Sequence, residues 1–149
     1  MSNFDYSIEM AKEIIVAASG GFDPLHAGHI EYLERAKALG DKLIVILNRD
    51  DFLRKKKGYV FMSFEERCKI IAALGCVDEV VGCIDDDMTV CKTLEMLKPN
   101  IFAKGGDRTA DEIPEAETCR ILKIKIIDGL GEKIQSSSEL VRQVEKKNN

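Results

Sequence analysis

The chain has 149 residues, 45% hydrophobic and 32% charged, with a net charge of −4. That balance suits one soluble domain with a real core (1–149, core about 13–142), and its acidic sign argues against a nucleic-acid partner. No apolar run approaches the roughly 20 residues that span a bilayer and Met1–Tyr6 lacks signal-peptide features, so a cytoplasmic chain without a membrane partner is expected.

Strand-like and helix-like stretches alternate along the sequence. Glu13–Ser19 reads as a strand, and Ala27–Leu39 as a helix with Ile30, Leu33, Ala36 and Leu39 on one face. Lys42–Leu47 is the near-continuous apolar run of a strand covered on both sides. Residues 48–62 read as a polar, basic loop. Ser63-Phe64-Glu65-Glu66 is a capping-box signature for a helix through Leu74. Val77–Cys83 is a strand, Asp85-Asp86-Asp87 a solvated turn, and Thr89–Leu97 a helix stopping before Pro99. Asn100–Lys104 is a short strand, Gly105–Arg108 a turn, Glu115–Leu122 a helix and Lys123–Asp128 the last strand. A second capping box, Ser136-Ser137-Ser138-Glu139, starts a terminal helix through about Lys146, with a frayed 146–149 tail.

Five strands alternating with helices predict an α/β, Rossmann-like fold: a five-stranded parallel sheet with helices on both faces. Ligands of such sheets bind beyond the carboxyl ends of the strands. Cys68, Cys76, Cys83, Cys91 and Cys119 are odd in number and form no Cys-x-x-Cys pair. They read as reduced core residues, with no metal ligands among them.

The most informative stretch is Gly20-Gly21-Phe22-Asp23-Pro24-Leu25-His26-Ala27-Gly28-His29, which leaves the first strand and opens the first helix. Glycine lets a backbone approach phosphate, and free N–H groups at a helix start attract it. The only two histidines of the chain stand there, three residues apart. Imidazoles at that point can donate to phosphate oxygens as charge builds on them. The basic run Arg54-Lys55-Lys56-Lys57, the Gly105-Gly106-Asp107 turn and Ser136-Ser137-Ser138 fall at the same rim.

With His26-Ala27-Gly28-His29 the sequence resembles the nucleotidyltransferase superfamily marked by His-x-Gly-His, from about Ile14 to Arg142. Ala38–Val45 and Leu74–Val81 are similar to its cytidylyltransferases for glycerol or alcohol phosphates. Lys104-Gly105-Gly106-Asp107 looks most like adenylyltransferases acting on heptose 1-phosphate. The resemblance implies transfer of CMP or AMP from CTP or ATP to a phosphorylated sugar or polyol, with CTP slightly favoured and pyrophosphate released. His26 and His29 would stabilise the transition state, and Lys55 and Lys57 would neutralise the triphosphate. Gly20, Gly21, Phe22, Gly28, Gly105, Asp107 and Ser136–Ser138 would contact the nucleotide, and Asp23 and Arg67 the substrate. Mg²⁺ would bridge the triphosphate, held mainly by substrate oxygens with no protein metal ligands, and the assembly would be a homodimer. Glycerol-phosphate-type enzymes carry an arginine where this chain has Gly131-Glu132-Lys133-Ile134. Two rival expectations are a coenzyme-pathway adenylyltransferase for phosphopantetheine or flavin mononucleotide, and a nucleotide-binding module without turnover.

Overall fold

The computed structural model describes residues 12–106 and 113–130. In chain order these form β1 (Ile15–Gly20), α1 (Ala27–Lys37), β2 (Lys42–Leu47), α2 (Asp50–Lys57) and α3 (Phe64–Ala72). There follow β3 (Glu79–Gly82), α4 (Cys91–Leu97), β4 (Ile101–Gly105), α5 (Ala116–Leu122) and β5 (Lys125–Leu130). The strands make one sheet in the order β3-β2-β1-β4-β5, every neighbour parallel. The expected α/β fold is therefore the observed one. The chain winds outward from β1 through β2 to β3, then returns to the other side of β1 for β4 and β5. Between β1 and β4 the winding reverses, the place where open parallel sheets form a ligand crevice.

The apolar character of β1 and β2 follows from their central position. Val16, Ala17, Ala18 and Leu43 to Leu47 are all buried. One face of the sheet packs Val16, Ala18, Leu43, Val45 and Leu47 against Leu33 and Ala36 of α1 and Ile71 of α3. The other packs Ala17, Ile46 and Phe102 against Leu94 of α4 and Cys119 of α5. The α1 stripe differs from expectation at one place: Tyr32 is buried, whereas Ile30 lies at the surface.

The largest correction concerns 48–62, read as a loop. Its middle is the helix α2. Asp50 and Asp51 fill the first turn and Arg54 to Lys57 the last, each sign matching the helix dipole at its end. Gly58, at φ 85°, ends the helix in the left-handed conformation, and its N–H donates to Arg54 O at 2.9 Å. Only Leu53 of this helix is buried, so no apolar stripe announced it. α3 stops at Ala72, and β3 keeps four residues of the seven expected. Before β3, Asp78 accepts hydrogen bonds from Leu43 N at 2.8 Å and Lys37 Nζ at 2.6 Å. The ammonium beside it holds the Asp78 carboxyl below its ordinary range. Asp107, Ser136, Ser137, Ser138 and the C-terminal helix expected after them lie outside the described residues.

Candidate active site

α1 begins on the two histidines. His26 is its N-cap, in extended backbone, and its Nδ1 accepts the Gly28 N–H at 3.1 Å. His29, three residues on, accepts the His26 N–H on its own Nδ1 at 3.2 Å. This is the reciprocal bonding of a capping box, built from imidazoles in place of serine and glutamate. It also fixes their tautomer. A ring nitrogen that accepts carries no proton, so each neutral ring is protonated at Nε2. The rings stack with centroids 3.7 Å apart, and the edge of Phe22 meets His29 at 4.9 Å. Burial, then the neighbouring His26 and the Lys57 charge, pushes the His29 pKa down to about 3. Burial lowers that of His26 as well. At neutral pH the turn thus offers two uncharged Nε2–H donors. His26 Nε2 is buried with no hydrogen-bond partner among the described residues.

The preceding turn is tight for reasons of packing. A Cβ on Gly20 would stand 2.9 Å from the Phe22 ring, and one on Gly21 would stand 2.6 Å from Leu53 Cδ2. Phe22, at φ 51°, adopts a left-handed backbone that few non-glycine residues take, and its ring is buried. Across the crevice, β1 and β4 pair only as far as Ala18 and Ala103. There the Tyr32 hydroxyl enters, donating to Ala103 O at 2.6 Å and accepting from Ser19 N at 3.3 Å. Burial raises the Tyr32 pKa, so the phenol stays protonated. Gly105, at the end of β4, lies under the Tyr32 ring, where a Cβ would come within 3.1 Å of Cδ1.

Of the remaining expected site residues, two are enclosed by the protein itself. Asp23 is 2% exposed, and its carboxylate accepts from Phe61 N and Met62 N, each at 2.6 Å. Arg67, fully buried, donates to Met62 O at 2.9 Å, Gly21 O at 2.8 Å, Asn48 O at 2.7 Å and the Asp50 carboxylate at 2.7 Å. It ties the first turn, the end of β2, the start of α2 and the segment before α3 to one another. The two lysines part company. Lys57 reaches the first turn, donating to Asp23 O, lying 3.3 Å from Asp23 Oδ2 and covering the Tyr59 ring. Lys55 instead lines a cavity of about 270 Å³ with Arg49, Phe52, Cys83, Asp86 and Met88, apart from the histidines.

Of the acidic triplet, Asp85 serves the start of α4, accepting from Lys92 N at 2.6 Å and Thr93 N at 3.0 Å. Tyr32, Asn48 and Arg49 were not singled out from the sequence. Asn48, a buried carboxamide closing an apolar strand, was the one with a readable signal.

A parallel sheet whose switch point opens on a helix start with two neutral imidazole donors defines a nucleotide-handling α/β domain. The cytidylyltransferase-like family model matches residues 17–144, and the chain belongs to that family of nucleotidyltransferases. It is 39% identical over 137 residues to the bifunctional protein HldE of Citrifermentans bemidjiense, covering 87% of this chain and 27% of that protein. Against the HldE of Helicobacter pylori it is 35% identical over 145 residues, covering 96% and 30%. The chain thus spans less than a third of these relatives. Among solved structures, the lipopolysaccharide core biosynthesis protein of Thermoplasma volcanium superposes with a TM-score of 0.69 and 33% identity, over 80% of this chain and 98% of that one. The pantoate-beta-alanine ligase of Francisella tularensis, at 19% identity and a TM-score of 0.59, shares the fold alone.

Proposed function

We propose that this protein transfers AMP from ATP to the phosphate of a phosphorylated sugar and releases pyrophosphate. The observation that carries the reading is the histidine pair, whose Nδ1 atoms accept backbone N–H groups so that both Nε2–H donors stay available. An acceptor phosphate oxygen attacks the α-phosphorus in line, and the bond to the β-phosphate oxygen breaks. Charge grows on the oxygens around that phosphorus. Donors that are already oriented, dry and neutral stabilise it without reorganising. ATP is placed ahead of CTP because the HldE relatives, of the heptose 1-phosphate adenylyltransferase type, agree with the Lys104-Gly105-Gly106-Asp107 resemblance.

Lys57, held beside the turn by Asp23, supplies a cation next to the histidines. Asp23 and Arg67 act from behind as the frame that holds the turn. Mg²⁺ fits as a companion of the triphosphate. No three potential ligand side chains converge among the described residues, and both Asp23 oxygens already accept amides. When bound, the ion would neutralise phosphate charge.

The test incubates the protein with Mg²⁺, each nucleoside triphosphate and a panel of sugar, polyol and coenzyme phosphates, following pyrophosphate and identifying the product by mass. An ADP-sugar is the expected product. Pyrophosphate release confined to CTP would overturn the donor, and no release with any pair would overturn the activity.

A further inference from the structure

The sheet divides at the carboxyl ends of its central strands. β1 stays paired with β2 through Gly20 and Leu47, and β4 with β5 through Gly105 and Leu130. Between β1 and β4 the register ends at Ala18 and Ala103. One side chain from α1, the buried Tyr32, stands at that point. Its phenol oxygen accepts from Ser19 N at 3.3 Å and donates to Ala103 O at 2.6 Å, so a single atom joins α1, β1 and β4. Its ring lies against Gly105, close enough that a Cβ there would stand 3.1 Å from Cδ1.

The same helix carries the histidines. Tyr32 follows His29 by three residues, about 4.5 Å along the axis, on a neighbouring part of the helix surface. Leu33 and Ala36 pack α1 on the sheet through apolar contact, which fixes no direction. A hydrogen bond does fix one, because it weakens steeply as it bends. The phenol thus sets where α1 sits on the sheet, and with it where the two Nε2–H donors stand relative to the end of β4. That relation matters for the proposed reaction. A ligand of the switch point lies across the ends of β1 and β4, with its phosphates at the start of the helix. One nucleotide then spans α1 and β4, and the tie through Tyr32 fixes how its α-phosphorus meets the donors.

We propose that Tyr32 is a positioning residue for nucleotidyl transfer, its hydroxyl holding the His26 and His29 donors of α1 in register with the crevice between β1 and β4. The inference rests on the reading that the histidines meet the α-phosphate. A flexible triphosphate can follow a small shift of the helix in the ground state. The transition state has no such freedom, since its attacking and leaving oxygens lie in line, and a misplacement of about 1 Å costs about 10²-fold. Loss of the hydroxyl therefore acts on kcat and spares KM.

The experiment measures steady-state pyrophosphate release for wild type, Tyr32→Phe, His29→Ala and the double variant. The substrates are Mg²⁺ with ATP or CTP, and heptose 1-phosphate, mannose 1-phosphate or glycerol 3-phosphate, in the pair that wild type turns over fastest. Tyr32→Phe keeps the ring on Gly105 and deletes one oxygen. It is expected to lower kcat about tenfold or more, with both KM values within about threefold of wild type. In the His29→Ala background the same substitution should cost less than about threefold, because a donor that it positions is already gone. Should Tyr32→Phe not fold, Tyr32→Leu replaces it with the same expectation, since its shorter side chain leaves room for a water on Ser19 N and Ala103 O. A folded variant with kcat within about threefold of wild type would reduce the hydroxyl to a tie between strands and overturn the proposal. A KM raised beyond that range would assign it to ground-state binding, and an undiminished effect in the His29→Ala background would show that it does not act through the histidines; either overturns the proposal as well. If wild type releases no pyrophosphate with any pair, the functional reading falls and takes this inference with it. If wild type turns over and Tyr32→Phe matches it, the inference alone falls.

Discussion

The β1–α1 turn and the stretch from Asn48 to Arg67 meet at the carboxyl end of β1, and they use their polar groups in opposite ways. Each imidazole of the turn gives one nitrogen to the backbone and keeps the other, protonated, for something else. Arg67 commits four of its five N–H donors to the frame, serving three carbonyls and a carboxylate. Asp23 likewise places both oxygens on amides. Both regions are rich in residues that bind nucleotides elsewhere. On the proposed reading, the imidazoles that meet phosphate hold an uncommitted, protonated nitrogen and the framing groups are bound mainly to backbone, a difference that residue type does not reveal.

That contrast can be broken from either side. The largest effect is expected at the frame. Arg67→Ala would leave the Asp50 carboxylate and three carbonyls without their cation, costing about 3 kcal/mol or more of stability by denaturant titration. If Arg67→Ala kept wild-type stability and lost only kcat, Arg67 would be a substrate contact and the distinction would fail. At the turn the loss should be kinetic. His29→Ala is expected to lower kcat by on the order of 10²-fold, the scale for one transition-state donor, while removing a cap costs only about 1 kcal/mol. A folded His29→Ala with unchanged kcat would reduce the histidines to helix caps.

The sheet was legible because burial on both faces writes itself as apolar runs; Lys42–Leu47 matches β2 residue for residue. The start of α1 was legible because glycine and histidine cluster there. α2 was not, since a single buried leucine in Asp-Asp-Phe-Leu-Arg-Lys-Lys-Lys gives no periodic signal and its stability comes from end charges and a glycine cap. Nor could the burial of Arg67 be read, because most of its partners are backbone carbonyls and those carry no residue signature. Tyr32 joins β1 to β4 across 71 residues of sequence to Ala103, a relation that exists only once the strands are placed.

The central claim is that helix capping makes both histidines neutral Nε2–H donors, and nitrogen-15 NMR of the imidazole rings tests it most directly. Both rings should show the Nε2–H tautomer at neutral pH, and His29, with its pKa near 3, should not titrate between about pH 8 and about pH 5. The unfolded chain takes up that proton near pH 6.5 and the folded one does not, so stability contributed by the neutral ring is present above about 6.5 and declines as pH falls toward 3. Addition of Mg–ATP should shift the Nε2 resonances and leave the Nδ1 resonances in place. An Nδ1–H tautomer, or an imidazolium forming near pH 6.5 in the folded protein, would contradict the account.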